Sequence, residues 1–187
     1  MAKHRYRTEN DKIVIDLHIK QLEQLFDSHD PAPFRERDLD DDAAEYILSS
    51  LREFSLPTPA KVVISIADPR IDDEKCRMIA EAIHNDFAYK ADLTHRKLRT
   101  ILRDGQKSLM IGLFFLVTFI YSAHHILANV TDNIYATIFG EGLNILGWVA
   151  MWNPINTFLY GWWKVARLRK YFLKLSEIEV DVIQKPL

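Results

Sequence analysis

Cysteine is nearly missing from this 187-residue chain, where Cys76 stands alone. A single thiol excludes an intrachain disulfide framework and any cysteine-rich zinc or iron–sulfur site built within one chain. There is no glycine-rich loop, no Walker A motif and no G-x-G-x-x-G fingerprint, so nucleotide binding has no positive support. HExxH spacing is missing as well. Residues 1–12 are polar and charged, without the apolar stretch of a signal peptide. The most telling absence is local. Asn129–Glu141 contains no Lys or Arg.

That segment separates two apolar runs, Ser108–Ala128 and Gly142–Trp163, neither of which carries an Asp, Glu, Lys or Arg. Each is long enough for an α-helix to cross a hydrocarbon core of about 30 Å. Arg96, Lys97, Arg99, Arg103 and Lys107 precede the first run, and Lys164, Arg167, Arg169, Lys170 and Lys174 follow the second. Cations outside both ends and none between them are the positive-inside pattern. The expectation is a multi-pass hairpin in the bacterial inner membrane with N- and C-termini cytoplasmic. The basic flanks set this topology and suit an anionic leaflet. The formal net charge of −2 hides this asymmetry, because acidic residues dominate from Glu9 to Glu45.

The remainder reads as α+β: a small cytoplasmic domain with about three strands and two helices, beside the two-helix transmembrane hairpin. Residues 1–11 read as a flexible arm and residues 12–94 as the α+β domain. Residues 95–107 form a basic juxtamembrane helix, residues 108–163 the hairpin (108–128 and 142–163), and residues 164–187 a basic tail with a terminal strand. Lys12–Ile19 (KIVIDLHI) alternates with the period of a half-buried strand. The breaker DSHDPAPF follows. A helix is expected from about Leu39 to Phe54, capped by Asp38 or Asp40, with Ala43, Ala44, Ile47, Leu48 and Leu51 inward. Pro57 and Pro59 stop it, Lys61–Ala67 (KVVISIA) is a second strand, and Asp68-Pro69 ends that strand.

Asp72 or Asp73 then caps a helix with Cys76, Ile79, Ala80, Ile83 and Phe87 on one stripe, continuing through Leu98, Ile101 and Leu102 into the membrane with a bend at Gly105. Ile178–Ile183 (IEVDVI) alternates again and is a third strand, paired in this protomer or in a neighbour. A core this thin calls for oligomerisation or docking on the membrane helices.

Candidate chemistry is sparse. The run Asp38, Asp40, Asp41 and Asp42 lacks the glycine and distal Glu of an EF-hand and reads as helix capping and a solvated face. Arg35 and Arg37 beside it are candidates for an anion or partner contact. His124 and His125 are adjacent, point in different directions, and have no His or Cys facing them on the second run. His84 and Asp86 read as surface residues. No catalytic residue, metal site, cofactor or nucleic-acid partner is assigned.

The second run, GLNILGWVAMWNPINTFLYGWW, contains every Trp of the chain. Trp162 and Trp163 suit an interfacial belt. Trp148 and Trp152 lie one turn apart near mid-helix and are expected to pack against other helices. Asn153, Asn156 and Tyr160 share a polar face that either bonds across to another helix or lines a pore or substrate path. Pro154 should free the carbonyl of Ala150 and kink the helix. Without charge at depth, a proton relay or ion-coupled transporter is disfavoured.

The segments DPAPFRERDLDDDAAEYI (Asp30–Ile47) and GWVAMWNPINTFLYGWW (Gly147–Trp163) together resemble a group of small, uncharacterised bacterial two-helix inner-membrane proteins. The resemblance covers most of the chain and implies inner-membrane residence. It transfers no catalytic residue. The functional expectation is a non-enzymatic, membrane-anchored interaction or scaffold protein that self-associates in the bilayer and contacts an unidentified membrane protein. The alternatives are a subunit of an oligomeric channel or transporter and a membrane-surface enzyme using Arg35, Arg37 and the acidic run.

Overall fold

The computed structural model describes residues 6–27, 37–67, 72–130 and 133–184. Two compact units emerge: Met1–Thr94 with Arg167–Leu187, and His95–Ala166.

The first unit is α+β and its sheet has four strands rather than three. Strand β1 (Arg7–Glu9) lies in the segment expected to be an arm, and runs antiparallel to β2 (Lys12–Ile19). Asn10 and Asp11 join them, both at positive φ (49° and 60°). A two-residue hairpin of type I′ needs that at both central positions, and Asn and Asp tolerate it better than most residues. The strand itself is exposed throughout and has no apolar alternation, so periodicity could not reveal it.

Strands β2, β3 (Ala60–Ile66) and β4 (Glu179–Gln184) are parallel, and the order across the sheet is β1-β2-β3-β4. The terminal strand therefore pairs with β3 of its own chain. Ile15 lies beside Val62, Leu17 beside Ile64 and Ile19 beside Ile66. Val62 and Ile64 in turn lie beside Val180 and Val182. This register aligns aliphatic rows on one face. Helix α1 (Asp41–Arg52) covers that face with Ala43, Ala44, Ile47, Leu48 and Leu51, as its spacing predicts. Asp40 is its N-cap, accepting from the amides of Asp42 (3.0 Å) and Ala43 (3.3 Å).

Helix α2 (Asp73–Asn129) supplies Ile79, Ala82, Ile83 and Phe87 to the same core. Asp72 accepts from the amide of Lys75 at 2.8 Å and starts it. The helix then runs through Gly105 without interruption. Helix α5 (Trp163–Leu175) returns with Tyr171 and Leu175 buried. Phe172 stacks on Phe87 with centroids 6.2 Å apart. Tyr171 and Lys174 donate to backbone carbonyls of the α1–β3 loop, at Phe54 and at Leu56 and Thr58 respectively.

The opposite sheet face carries ion pairs. Lys61 of β3 meets Glu9 (2.8 Å) and Asp181 (3.0 Å), Arg7 meets Asp16, and Lys12 meets Glu179. The pairs Lys61–Asp181 and Lys12–Glu179 tie together strands that are distant in sequence. Asp86, expected on the surface, is buried at 3% exposure with one carboxylate oxygen 2.8 Å from Lys90. It is a carboxylate on the core side of α2, a placement that the pattern of apolar residues does not report. His84 is half-buried and bonds the Ile178 carbonyl at 2.7 Å.

Candidate functional site: the apolar helix pair

The second unit pairs the distal part of α2 with α3 (Ile134–Ala150), α4 (Trp152–Asn156), a π-helical turn (Thr157–Gly161) and the start of α5. Two helices are long and apolar enough to cross a membrane, Asp73–Asn129 and the near-continuous Ile134–Leu175. Only 11% of the most apolar window of each is buried within the chain, which is the reverse of a soluble core helix.

Helix α3 begins at Ile134, ahead of the apolar run that starts at Gly142. Its N-cap is Asn133, whose side chain accepts from the amide of Tyr135 at 3.0 Å. Ile134–Phe139 is helical and largely apolar, so Glu141 sits inside the helix rather than in a connection. The helix thus extends ahead of the apolar run, and the Asn133 cap marks its start.

The seam of the pair is made of small residues. Gly105, Gly112 and Ala123 of α2 are buried, as are Gly140 and Gly147 of α3. Gly147 faces Leu116, and Gly140 faces Leu127. The closest approach is at Gly112. A Cβ there would stand 2.8 Å from the carbonyl oxygen of Ala150 and 3.3 Å from Pro154. That carbonyl is the one Pro154 cannot satisfy, because proline has no N–H. Helix α3 stops at Ala150, and the amide of Met151 bonds Trp148 at 3.1 Å in a tighter turn. The kink and the glycine are thus one feature: the backbone break fits against the one side of α2 that has no side chain.

The residues singled out from sequence distribute unevenly. Asn153 reaches across the seam, donating to the hydroxyl of Ser108 at 3.1 Å. Asn156 is exposed and Tyr160 is 64% exposed. Trp148 (67%) and Trp152 (75%) face outward from the pair. The π turn adds a residue to the helical period after Asn156 and shifts the face that simple spacing assigns to Tyr160. Sequence spacing missed the glycine seam, although the seven-residue intervals Gly105–Gly112 and Gly140–Gly147 carry its signal.

In the first unit, Arg37 is half-buried with its Nε lacking a hydrogen-bond partner, while Arg35 lies outside the described residues. A cleft of about 500 Å³ is lined by Asp27, Asp38, Asp40, Asp41, Asp86 and Lys90, among others. Burial raises the Asp86 carboxyl above its ordinary range, and the hydrogen bond from Lys90 offsets part of that. Among the described residues, no group of three or more His, Cys, Asp or Glu is arranged to hold a metal ion. No protein-family model, curated protein or solved structure matches the chain.

Proposed function

We propose that this chain is a non-enzymatic, membrane-anchored interaction protein. Its α+β unit is held at a bacterial inner membrane by the helix pair, with both termini cytoplasmic, and copies associate within the bilayer. The observation that carries this reading is the outward aromatic surface of the second helix, above all Trp148 and Trp152. Outward indoles near mid-helix are far from the interfaces where lone membrane tryptophans concentrate. Packing against a second copy, or against another membrane protein, accounts for them. The cation distribution around the two apolar runs supports the orientation. The resemblance to small two-helix inner-membrane proteins belongs to this same reading.

A second reading is a subunit of an oligomeric channel or transporter. The exposed Asn156 and Tyr160 favour it, since polar groups on a spanning helix line a wet path when they do not bond another helix. An enzyme acting at the membrane surface through Arg37 and the acidic cleft ranks last, because no nucleophile and base are brought together among the described residues.

Subunit counting of the full chain by native mass measurement tests the association, and a strictly monomeric protein in mild detergent and in bilayers would sink it. A ring of subunits conducting ions or solute in liposomes promotes the second reading. Orientation is tested with Val130→Cys in intact cells. An impermeant thiol reagent should label it from outside, while Cys76 stays unlabelled on the inner side. Labelling only after the membrane is broken overturns the topology.

A further inference from the structure

One line of side chains on α2 remains unused by the helix seam. Arg103 and Lys107 each stand two residues from Gly105, about 200° around the helix. They therefore point away from the seam. Met110 and Phe114 stand in the same relation to Gly112. Val117 and Tyr121 extend the line at intervals of three and four residues. Arg103 is exposed and Lys107 has a side-chain exposure of 69%. Met110, Phe114, Val117 and Tyr121 are between 61% and 72% exposed. The line is cationic for one turn and then apolar for three.

At its basic end Lys107 stands 3.9 Å from Asp104, in an open pair that neutralises little. From Met110 to Tyr121 the apolar part rises about 16 Å, close to half of a ~30 Å hydrocarbon core.

We infer that this outward line of α2 binds one anionic phospholipid, with the phosphate on Arg103 and Lys107 and an acyl chain along Met110, Phe114, Val117 and Tyr121. The inference rests on the spanning reading above and adds a lipid class and a place to it. Arg103 offers the planar donor fork suited to phosphate, and Lys107 adds a mobile point charge one turn nearer the hydrocarbon. Thr118 contributes no competing polar end, because its hydroxyl bonds the Phe114 carbonyl at 2.8 Å. A lipid whose headgroup is anionic satisfies both halves of the line at once. A zwitterionic one brings an ammonium into the same basic turn.

The full chain is placed in nanodiscs of phosphatidylcholine and phosphatidylglycerol with identical acyl chains, and lipids retained on the protein are counted by native mass spectrometry. The unaltered protein should retain phosphatidylglycerol preferentially. The double substitution Arg103→Gln with Lys107→Gln should cut that preference roughly ten- to thirtyfold, as expected for two surface cations. Lys97→Gln with Lys164→Gln removes the same charge away from the line and should leave the preference nearly intact.

Equal losses in the two variants would show a diffuse charge effect and overturn the site. Competition by soluble glycerol phosphate as strong as by the intact lipid would show that the apolar line contributes nothing, with the same consequence. A protein that enters the discs yet retains both lipids equally overturns this inference and leaves the spanning reading standing. A protein that enters neither disc overturns the spanning reading and the lipid site together.

Discussion

The two units invert each other. In the α+β unit a core of large apolar side chains is inside: Phe87, Ile15, Ile47, Ile64 and Ile83 have no exposure. In the helix pair the largest side chains are outside, and the buried positions among the described residues belong to Gly105, Gly112, Ala123, Gly140, Gly147 and Pro154. All six glycines of the chain fall within residues 95–166. Water drives the first arrangement, because burying apolar area lowers the free energy. Between helices surrounded by hydrocarbon that drive is absent, and on the membrane reading proposed above close backbone approach and dispersion set the seam. Volume is the decisive variable in both units, with opposite sign.

The comparison breaks most sharply by truncation. Phe87→Ala should destabilise the α+β unit by about 3–5 kcal/mol, read from its denaturant or thermal unfolding. Phe114→Ala removes the same group from an outward position and should leave that unfolding unchanged. Equal effects would erase the contrast.

Enlargement is the complementary test. Gly112→Val pushes a branched side chain against the Ala150 carbonyl and should cost the helix pair about 1–3 kcal/mol. The denaturation midpoint of the pair in detergent should fall in that variant. Gly142→Ala meets nothing within 4 Å and should be neutral or slightly stabilising, since alanine favours helix by up to about 1 kcal/mol. Similar behaviour of the two glycines would remove the seam as an explanation.

A smaller effect is expected at the bond from Asn153 to Ser108 across the seam. Asn153→Leu should weaken the pair by about 0.6–1 kcal/mol, detectable as a lower denaturation midpoint in detergent. Asn156→Leu, lacking that bond, should leave the midpoint alone and lower association only where copies meet.

The smallest effect separates the units by pH. Glu9 is held below its ordinary carboxyl range by the hydrogen bond and charge of Lys61. Lys61 is raised in turn, first by Glu9 and then by Asp181. A depressed carboxyl contributes stability that is present above its ordinary value near 4.5 and is lost as pH falls through the lowered one. Glu9→Gln should therefore flatten the acid side of the unfolding midpoint for the α+β unit. Asp86 works with the opposite sign. Its raised pKa lets the native state take up the proton first, so this group favours the fold more as pH falls. Asp86→Asn should remove that trend, and an unchanged acid profile in both variants would count against both assignments.

Legibility followed the same division. The alternation in KIVIDLHI, KVVISIA and IEVDVI exposed three strands, and the inner face of α1 matched its spacing residue for residue. The exposed β1 carried no period, and only its Asn10-Asp11 turn announced it. Asp86 was misplaced because a buried carboxylate follows no apolar rule. Within the helix pair, Pro154 predicted a break and the break is there, while Trp148 and Trp152 drew attention away from the glycines that make the seam.

The sequence by itself determined the α+β class and the presence of two helices apolar enough for a membrane, because periodicity and run length are local properties of a chain. The parallel pairing of β4 with β3, the Glu9–Lys61–Asp181 bridge and the fit of Gly112 against the Ala150 carbonyl were decided only in the tertiary structure. Each joins residues far apart along the chain. The choice among alternative pairings is set by packing and register in three dimensions, on which a linear pattern is silent.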